Sequence, residues 1–485
     1  PVFWLTVVAG WGLVSLFVFI LLWPAMWVDP LGTFGQMWQE TFGKVDEGHL
    51  VYFLGQPTLD PGLWFYTYVI PFRLTPVVLV GLVLSLLLFV PGLNSLPPLK
   101  RLSVSGRTLD GNSAKVDPPL IPTYLLLWLF TITLFIFGHL SPKKQDRYLL
   151  PLFPFLNLLA AIGWIGLIDL TYYAISRRFR VVATARQAGQ TKGAAPPGPY
   201  LPGPIASLSL LVLLAFELAP VLTYYPYYLT YFNPLMGGPR QAAQTTLMGW
   251  GEGMEQVAAY LNSKPDAKNL YVASTPSQTL LPYFVGTGEN FYTNDIALRA
   301  DYVVLYLAQM QRLAPSPEIV HYFEAQQPEQ TITIKDVTYA KIYAGPKFIR
   351  ADIPLEAVPT NVGLNRLLRL AGYHSSEFQD RAQTSAEMTN LDLTLYWHAL
   401  APIVTNYTVS VRARDAAGTV LAQQDQWPVD GLLPTSQWRQ GDYVADTHRL
   451  EIPVADLSRI TTLEVVVYDA ENGETLGPPI TIGVE

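Results

Sequence analysis

Five apolar runs, at residues 2–23, 63–90, 120–138, 148–175 and 205–222, dominate the first half of this chain. A helix needs roughly 20 such residues to cross the hydrocarbon core of a bilayer. One run of this kind reads equally well as a buried core helix. Five in succession, with polar loops between them, predict a polytopic membrane domain over residues 1–235. The charge count agrees with a change of surroundings after it. Residues 1–235 carry 14 Lys/Arg and 10 Asp/Glu, whereas residues 236–485 carry 17 and 28. The charged fraction of the whole chain is 14%, where soluble domains reach roughly a quarter. The net charge of −7 leaves no basic face for nucleic acid. The absence of cysteine excludes disulfides and thiolate metal sites.

The loops set an orientation. Residues 91–119 hold Lys100, Arg101, Arg107 and Lys115 against Asp110 and Asp117, and residues 176–204 hold Arg177, Arg178, Arg180, Arg186 and Lys192 with no acid. Cytoplasmic loops carry such an excess of Lys and Arg. The loop at 24–62 is acidic, with Asp29, Glu40, Asp46, Glu47 and Asp60, and falls on the other side. Five spans then predict a multi-pass cell-membrane protein whose residues after about 222 are extracytoplasmic. The chain opens inside an apolar run, at Pro1-Val2-Phe3-Trp4, without Met or a charged leader, so an N-terminal part is expected upstream.

One segment defies this layout. Ser141–Arg147, reading SPKKQDR, is basic yet falls on the external side, and Tyr148-Leu149-Leu150-Pro151 enters the bilayer directly after it. Snorkelling of long basic side chains explains it in the plainest way. The alternative is a lipid-phosphate site, in which Lys143 and Lys144 act as point charges, Arg147 as a planar fork and the Tyr148 hydroxyl as a further donor. Asp146 stands beside Arg147 and could orient it.

The run from Lys143 to Pro154, KKQDRYLLPLFP, resembles a signature of GT-C glycosyltransferases, in the branch of protein O-mannosyltransferases and aminoarabinose transferases. Two further groups of segments fit that resemblance. One joins Trp23-Pro24-Ala25-Met26-Trp27 with Tyr52–Gln56 and Trp64-Phe65-Tyr66; the other joins Tyr227–Leu235 with Gly249–Gly253. The likeness covers roughly residues 1–310. It implies a polyprenyl-phosphate sugar donor, an extracytoplasmic protein, lipid or glycan acceptor, and donor-phosphate binding by Lys143, Lys144, Arg147 and Tyr148, with Asp146 in support. The family places its catalytic Asp or Glu in the first external loop, which is expected upstream of Pro1 together with any divalent cation. The chain itself offers no metal site. Within it, Asp46 and Glu47 read as the solvated face of a turn at Gly48. His49, close to Tyr52-Phe53, is a supporting candidate for a hydrogen bond to a sugar or phosphate oxygen. Leu31, Phe34, Met37, Trp38 and Phe42 have the spacing of an amphipathic helix on a bilayer surface.

The later half predicts two extracytoplasmic parts. Residues 236–349 read as a small α/β domain, with strands near 269–274 and 301–307 and a hairpin over 331–343 that turns at Lys335-Asp336. Residues 350–485 read as an antiparallel β-sandwich, from alternating runs such as Tyr407–Arg414 and turn signals such as Asn472-Gly473. The turn Gly249-Trp250-Gly251-Glu252-Gly253 before a helix could take an anion on its N–H groups, or simply be a tight turn. Trp397, Trp427 and Trp438 could stack on sugars, but core packing accounts for them better. His321 reads as a surface residue. Two functions stay open. One is a membrane glycosyltransferase; the other is a non-catalytic membrane-anchored subunit that displays external binding domains beside the missing part or other membrane subunits.

Overall fold

The computed structural model describes residues 2–46, 49–87, 120–141, 143–186, 204–375 and 388–483. The chain divides into two compact units, Pro1–Leu247 and Met248–Glu485. The division falls at 247/248, and the expected boundary at 349/350 lies inside the second unit.

The first unit is helical. Its main elements are α1 (Val2–Leu22), α2 (Ala25–Val28), α3 (Pro30–Asp46), a small hairpin of β1 (Val51–Phe53) and β2 (Gln56–Thr58), α4 (Phe65–Arg73), α5 (Pro76–Leu87), α6 (Leu120–Leu140), α7 (Phe153–Arg186), α8 (Pro204–Thr223) and α9 (Gly238–Thr245). Among the described residues one helix, Asp146–Thr171, is long and apolar enough to cross a membrane. Two bent pairs bring the number to three if each counts as one span: Phe65–Arg73 with Pro76–Leu87, bent by 119°, and Ser207–Thr223 with Tyr228–Met236, bent by 112°. Ala9–Leu22 and Tyr124–Leu140 are shorter apolar helices. Apolar side chains stand exposed on α1, including Trp11 at 73% and Leu22 at 74%.

The expected continuous helix over 63–90 is therefore broken, and the sequence contains the cause. Pro76 pushes the residue before it out of the helical region and cannot donate into the preceding turn. The helix has already ended one residue earlier, at its C-cap Leu74, which is extended at φ −84° and ψ 148°. Thr75 then caps α5, its Oγ1 accepting from Val78 N at 3.2 Å. The opposite departure occurs after Ile175. No Gly or Pro interrupts the chain there, and α7 runs on to Arg186, so part of the expected basic loop is helix. Glu47 and the expected loop residues Lys100, Arg101, Arg107, Lys115 and Lys192 lie outside the described residues.

Small residues let α5 and α7 approach closely. A Cβ on Gly81 would lie 2.7 Å from the Ala160 carbonyl, and one on Gly163 would meet the Gly81 carbonyl. Trp164 Nε1 donates to Val77 O at 2.8 Å across the same contact. Gly, Ser and Ala at such seams let two helix backbones pack closely.

Among the described residues the second unit holds three sheets. The first has the order β4 (Thr287–Glu289), β3 (Tyr271–Ser274), β5 (Tyr302–Tyr306), β7 (Val337–Ala344), β6 (Gln330–Ile334), parallel at β4–β3–β5 and antiparallel beyond. The β6–β7 turn uses Lys335 and Asp336 at φ 49° and 64°, the backbone a tight hairpin needs. The other two sheets are antiparallel. One orders β8 (Ile349–Arg350), β14 (Tyr443–Pro453), β11 (Met388–Ala399), β10 (Leu368–Ser375) and β9 (Val358–Leu364). Its partner orders β13 (Val420–Gln426), β12 (Tyr407–Asp415), β15 (Ile460–Asp469) and β16 (Ile480–Gly483). Alternate residues such as Leu393, Leu395 and Trp397 of β11 and Val409 and Val411 of β12 are buried. One hydrophobic cluster joins them to Ile296, Leu298, Val303 and Phe323 of the first sheet's layer, so the α/β and sandwich parts share a core. Arg299 ties them further, meeting Asp295 at 3.2 Å and Asp442 at 3.1 Å.

Candidate functional site

The basic loop sits where α6 ends and α7 begins. Residues Asp146–Leu152 form a 3-10 turn that leads straight into α7. Leu149 and Leu152 are buried against Phe65, Tyr66, Val69 and Ile70 of α4, so the loop's apolar side is pinned while its polar side chains point elsewhere. Beside it lies a cleft of about 360 Å³, walled by Leu134, Phe137, Leu149, Pro151 and Leu152. Tyr66, Ser141, Lys143 and Tyr148 supply the polar groups of its lining.

The expected phosphate-binding residues are thus distributed. Lys143 and Tyr148 line one cleft. Lys144 is 5% exposed, with its ammonium 3.9 Å from Asp60. Asp60, with Gln56, Thr58 and Trp64, lines a second, open hollow of about 680 Å³. Arg147 is exposed, its guanidinium 5.6 Å from the Tyr148 ring centre. Asp146 also has a partner that the sequence did not suggest. Its Oδ2 accepts from Arg73 Nε at 3.1 Å and Nη2 at 2.8 Å, and its Oδ1 accepts the backbone N–H of Arg147 at 2.8 Å. Asp146 therefore pairs with α4. His49 is partly buried ahead of β1, and among the described residues no hydrogen bond or ion pair joins it to the loop. The side chains of Asp46 and Glu47 lie outside the described residues.

Sequence reasoning missed the residues that hold the loop. Tyr66 Oη donates to the Gln145 carbonyl at 3.1 Å and accepts from Gln145 N at 3.3 Å. Arg73 also donates through Nη1 to Leu229 O at 2.9 Å and lies 4.2 Å over the Phe232 ring. Asn233 donates from its backbone N to Phe72 O at 2.7 Å and from Nδ2 to Pro71 O at 3.1 Å, taking up carbonyls freed where α4 ends. Thr75 Oγ1 donates to Glu217 Oε1 of α8 at 2.6 Å. A signal for Arg73 was present: a single charge inside an apolar run is costly unless it has a partner.

The other candidates of the sequence lie in the second unit. In the Gly249–Gly253 turn the Glu252 carboxylate accepts from Trp250 N at 2.6 Å and from the Tyr306 hydroxyl at 2.9 Å, while Gly251 N donates to that hydroxyl at 2.9 Å. The chain's own groups thus occupy the place an anion would take. Burial, and then Glu252, push the Tyr306 hydroxyl well above its ordinary range. Trp397 and Trp438 are core residues, and Trp427 stands 44% exposed. His321 is exposed. Among the described residues no group of three or more His, Asp or Glu side chains is arranged to hold a metal ion.

No family model matches the chain, and no curated protein matches it. Solved structures give faint likenesses. A beta-glucuronidase from glycoside hydrolase family 2 is 12% identical, with a TM-score of 0.17 over 23% of this chain and 11% of its own. A family 2 glycosyl hydrolase member from Bacteroides cellulosilyticus is 11% identical, with a TM-score of 0.16 over 30% of this chain and 15% of its own. The chain thus spans a small fraction of the length of these structures, and likeness at this level carries no argument about fold or activity.

Proposed function

We propose that the first unit is the donor-binding part of a polytopic, GT-C-like membrane glycosyltransferase. In this reading the five apolar runs are spans and the loop 143–148 faces the extracytoplasmic side. The donor is a polyprenyl-phosphate-linked sugar, and the acceptor is extracytoplasmic. The cleft of about 360 Å³ beside that loop carries the reading, because it combines apolar walls with Lys143 and Tyr148. An amphiphile with an anionic head and a hydrocarbon tail matches such a lining. Lys143 supplies a point charge to phosphate oxygens and the Tyr148 hydroxyl a directed donor, while Leu134, Phe137, Leu149 and Leu152 shield the first isoprene units from water. Arg147, beside the Tyr148 ring, adds a planar fork. Lys144, whose ammonium lies 3.9 Å from Asp60, enters this reading only as further positive charge in the loop. The base that would activate the acceptor is assigned to no residue of this chain.

The test is equilibrium binding of a polyprenyl phosphate to the full chain in nanodiscs. Saturable binding is expected, weakened about tenfold by Lys143→Ala and less by Tyr148→Phe, consistent with charged hydrogen bonds being the stronger ones. Native protein that takes up no more than empty nanodiscs would instead favour the non-catalytic subunit, which anchors residues 248–485 for binding.

A further inference from the structure

We infer that Arg73 is the positioning residue of the phosphate-binding loop, acting through Asp146; this rests on the donor-binding reading above. Three elements meet at its guanidinium. Arg73 closes α4, its Nε and Nη2 hold Asp146 in the loop, and its Nη1 holds Leu229 O in the turn after α8. The pair is mostly withdrawn from solvent, with side-chain exposures of 16% for Arg73 and 20% for Asp146. Tyr66 lies seven residues earlier, two helical turns back on the same face of α4, and grips the adjoining Gln145 through both its N–H and its carbonyl. Residues 145 and 146 are therefore fixed on both backbone and side chain, directly between Lys144 and Arg147.

Two physical consequences follow. The first concerns charge. A carboxylate within this basic loop would repel a phosphate, and pairing it with Arg73 returns the loop's positive potential. The second concerns geometry. Two directed N–H bonds hold Asp146 of the loop, while the bond to Leu229 O and the Phe232 ring face hold the guanidinium itself, an arrangement that a Lys ammonium cannot reproduce. The bend behind Arg73 is itself secured by Asn233 at Pro71 and Phe72 and by Glu217 at Thr75, so the anchor point is rigid. Because these contacts act as a unit, removing either member of the Arg73–Asp146 pair should cost about the same as removing both.

The experiment uses the full chain in nanodiscs, with polyprenyl phosphate as probe and trypsin as a reporter of the loop. Lys143, Lys144 and Arg147 are themselves tryptic sites. Arg73→Gln and Asp146→Asn are each expected to weaken binding about tenfold, with no further loss in the double variant, and to expose the loop to cleavage. Arg73→Lys should fall between them and the native protein. The exchanged pair, Arg73→Asp with Asp146→Arg, should recover part of the affinity and of the protease resistance, which a variant that merely misfolds would not. Asp146→Asn separates the two consequences. It leaves the loop more positive, so tighter or unchanged binding shows that the pin does not set the phosphate geometry and overturns the inference alone. Absence of binding by the native chain overturns the donor reading, and this inference with it.

Discussion

Gly163→Ala tests whether the α5–α7 seam sets the architecture of the first unit. At this position the added methyl has nowhere to go. It would run into the Gly81 carbonyl oxygen and stand 2.6 Å from Ser85 N, where ordinary contact begins at 3.4 Å. Both obstacles are backbone, so no side-chain rotation relieves them, and the helices must part by about 1 Å. Overpacking of this kind costs about 1–3 kcal/mol, and a backbone obstacle places the cost toward the upper end. For a unit of this size that corresponds to a melting temperature lower by about 2–12 °C. The displacement should also stretch the bond from Trp164 Nε1 to Val77 O, giving a fluorescence signal local to the seam. Gly12→Ala is the control. A Cβ there meets nothing within 4 Å, and Ala exceeds Gly in helix propensity by about 1 kcal/mol, so its melting temperature should hold or rise. Thermal melts of both variants in detergent, followed by tryptophan emission, make the comparison. Equal melting temperatures for Gly163→Ala and native protein would refute the seam as drawn.

Three further outcomes are expected. Asp446→Ala should destabilise the second unit by about 3–5 kcal/mol in a urea titration of the full chain, because it leaves two buried groups unpaired. Those groups are His448 Nε2, now 2.9 Å from Asp446 Oδ2, and Val429 N, now 2.8 Å from Oδ1. A loss below about 1 kcal/mol would show that the pair is not tightly buried. His398 predicts a pH dependence. Burial, and then Arg369, lower its pKa, so the unfolded chain binds its proton more readily than the folded one. Its contribution to stability is complete above the unfolded value, about 6.5, and is lost as pH falls from there toward the folded value. Replacement by Gln should flatten the stability curve in that window, and an unchanged slope would contradict the assignment. Asn233→Ala should cost about 1–3 kcal/mol, since it strands the Pro71 carbonyl and the Leu235 N–H, which Asn233 Oδ1 accepts at 2.9 Å. Faster amide exchange at residues 72–75 checks it.

Local chemistry was legible in this sequence wherever it was enough to determine local structure. The Lys335-Asp336 turn, the alternation of β11 and β12 and the buried state of Trp397 follow from period and turn residues within a few positions. The break after Arg73 was equally local, in the cap-and-proline pair Thr75-Pro76, yet a rule that counts apolar residues over 63–90 passes across it. The extension of α7 to Arg186 fails for the converse reason: charge was taken as a loop signal, although Arg is a good helix former and nothing there breaks the helix. Asp146 shows a third kind of limit. Lys143, Lys144 and Arg147 are the cations near it along the chain, but its ion-pair partner Arg73 is 73 residues away. Long-range pairing depends on how α4 packs on the loop, and no local pattern carries that information.

The two bends explain why polar chemistry can sit inside so apolar a unit. Ending a helix frees carbonyl and N–H groups, which are costly to bury unless the protein supplies partners. At the α4–α5 bend those partners come from the segment that follows the other bend: Asn233 takes Pro71 O and Phe72 O, while Arg73 on the first bend takes Leu229 O on the second. The two breaks thus share these bonds. The same arrangement fixes the position of Arg73, a charge that its own apolar run could not hold without Asp146. The loop with Lys143, Lys144 and Arg147 is consequently attached to a polar joint between two broken helices. A change at either break should therefore be felt at the loop before it is felt along the uninterrupted stretch of α7.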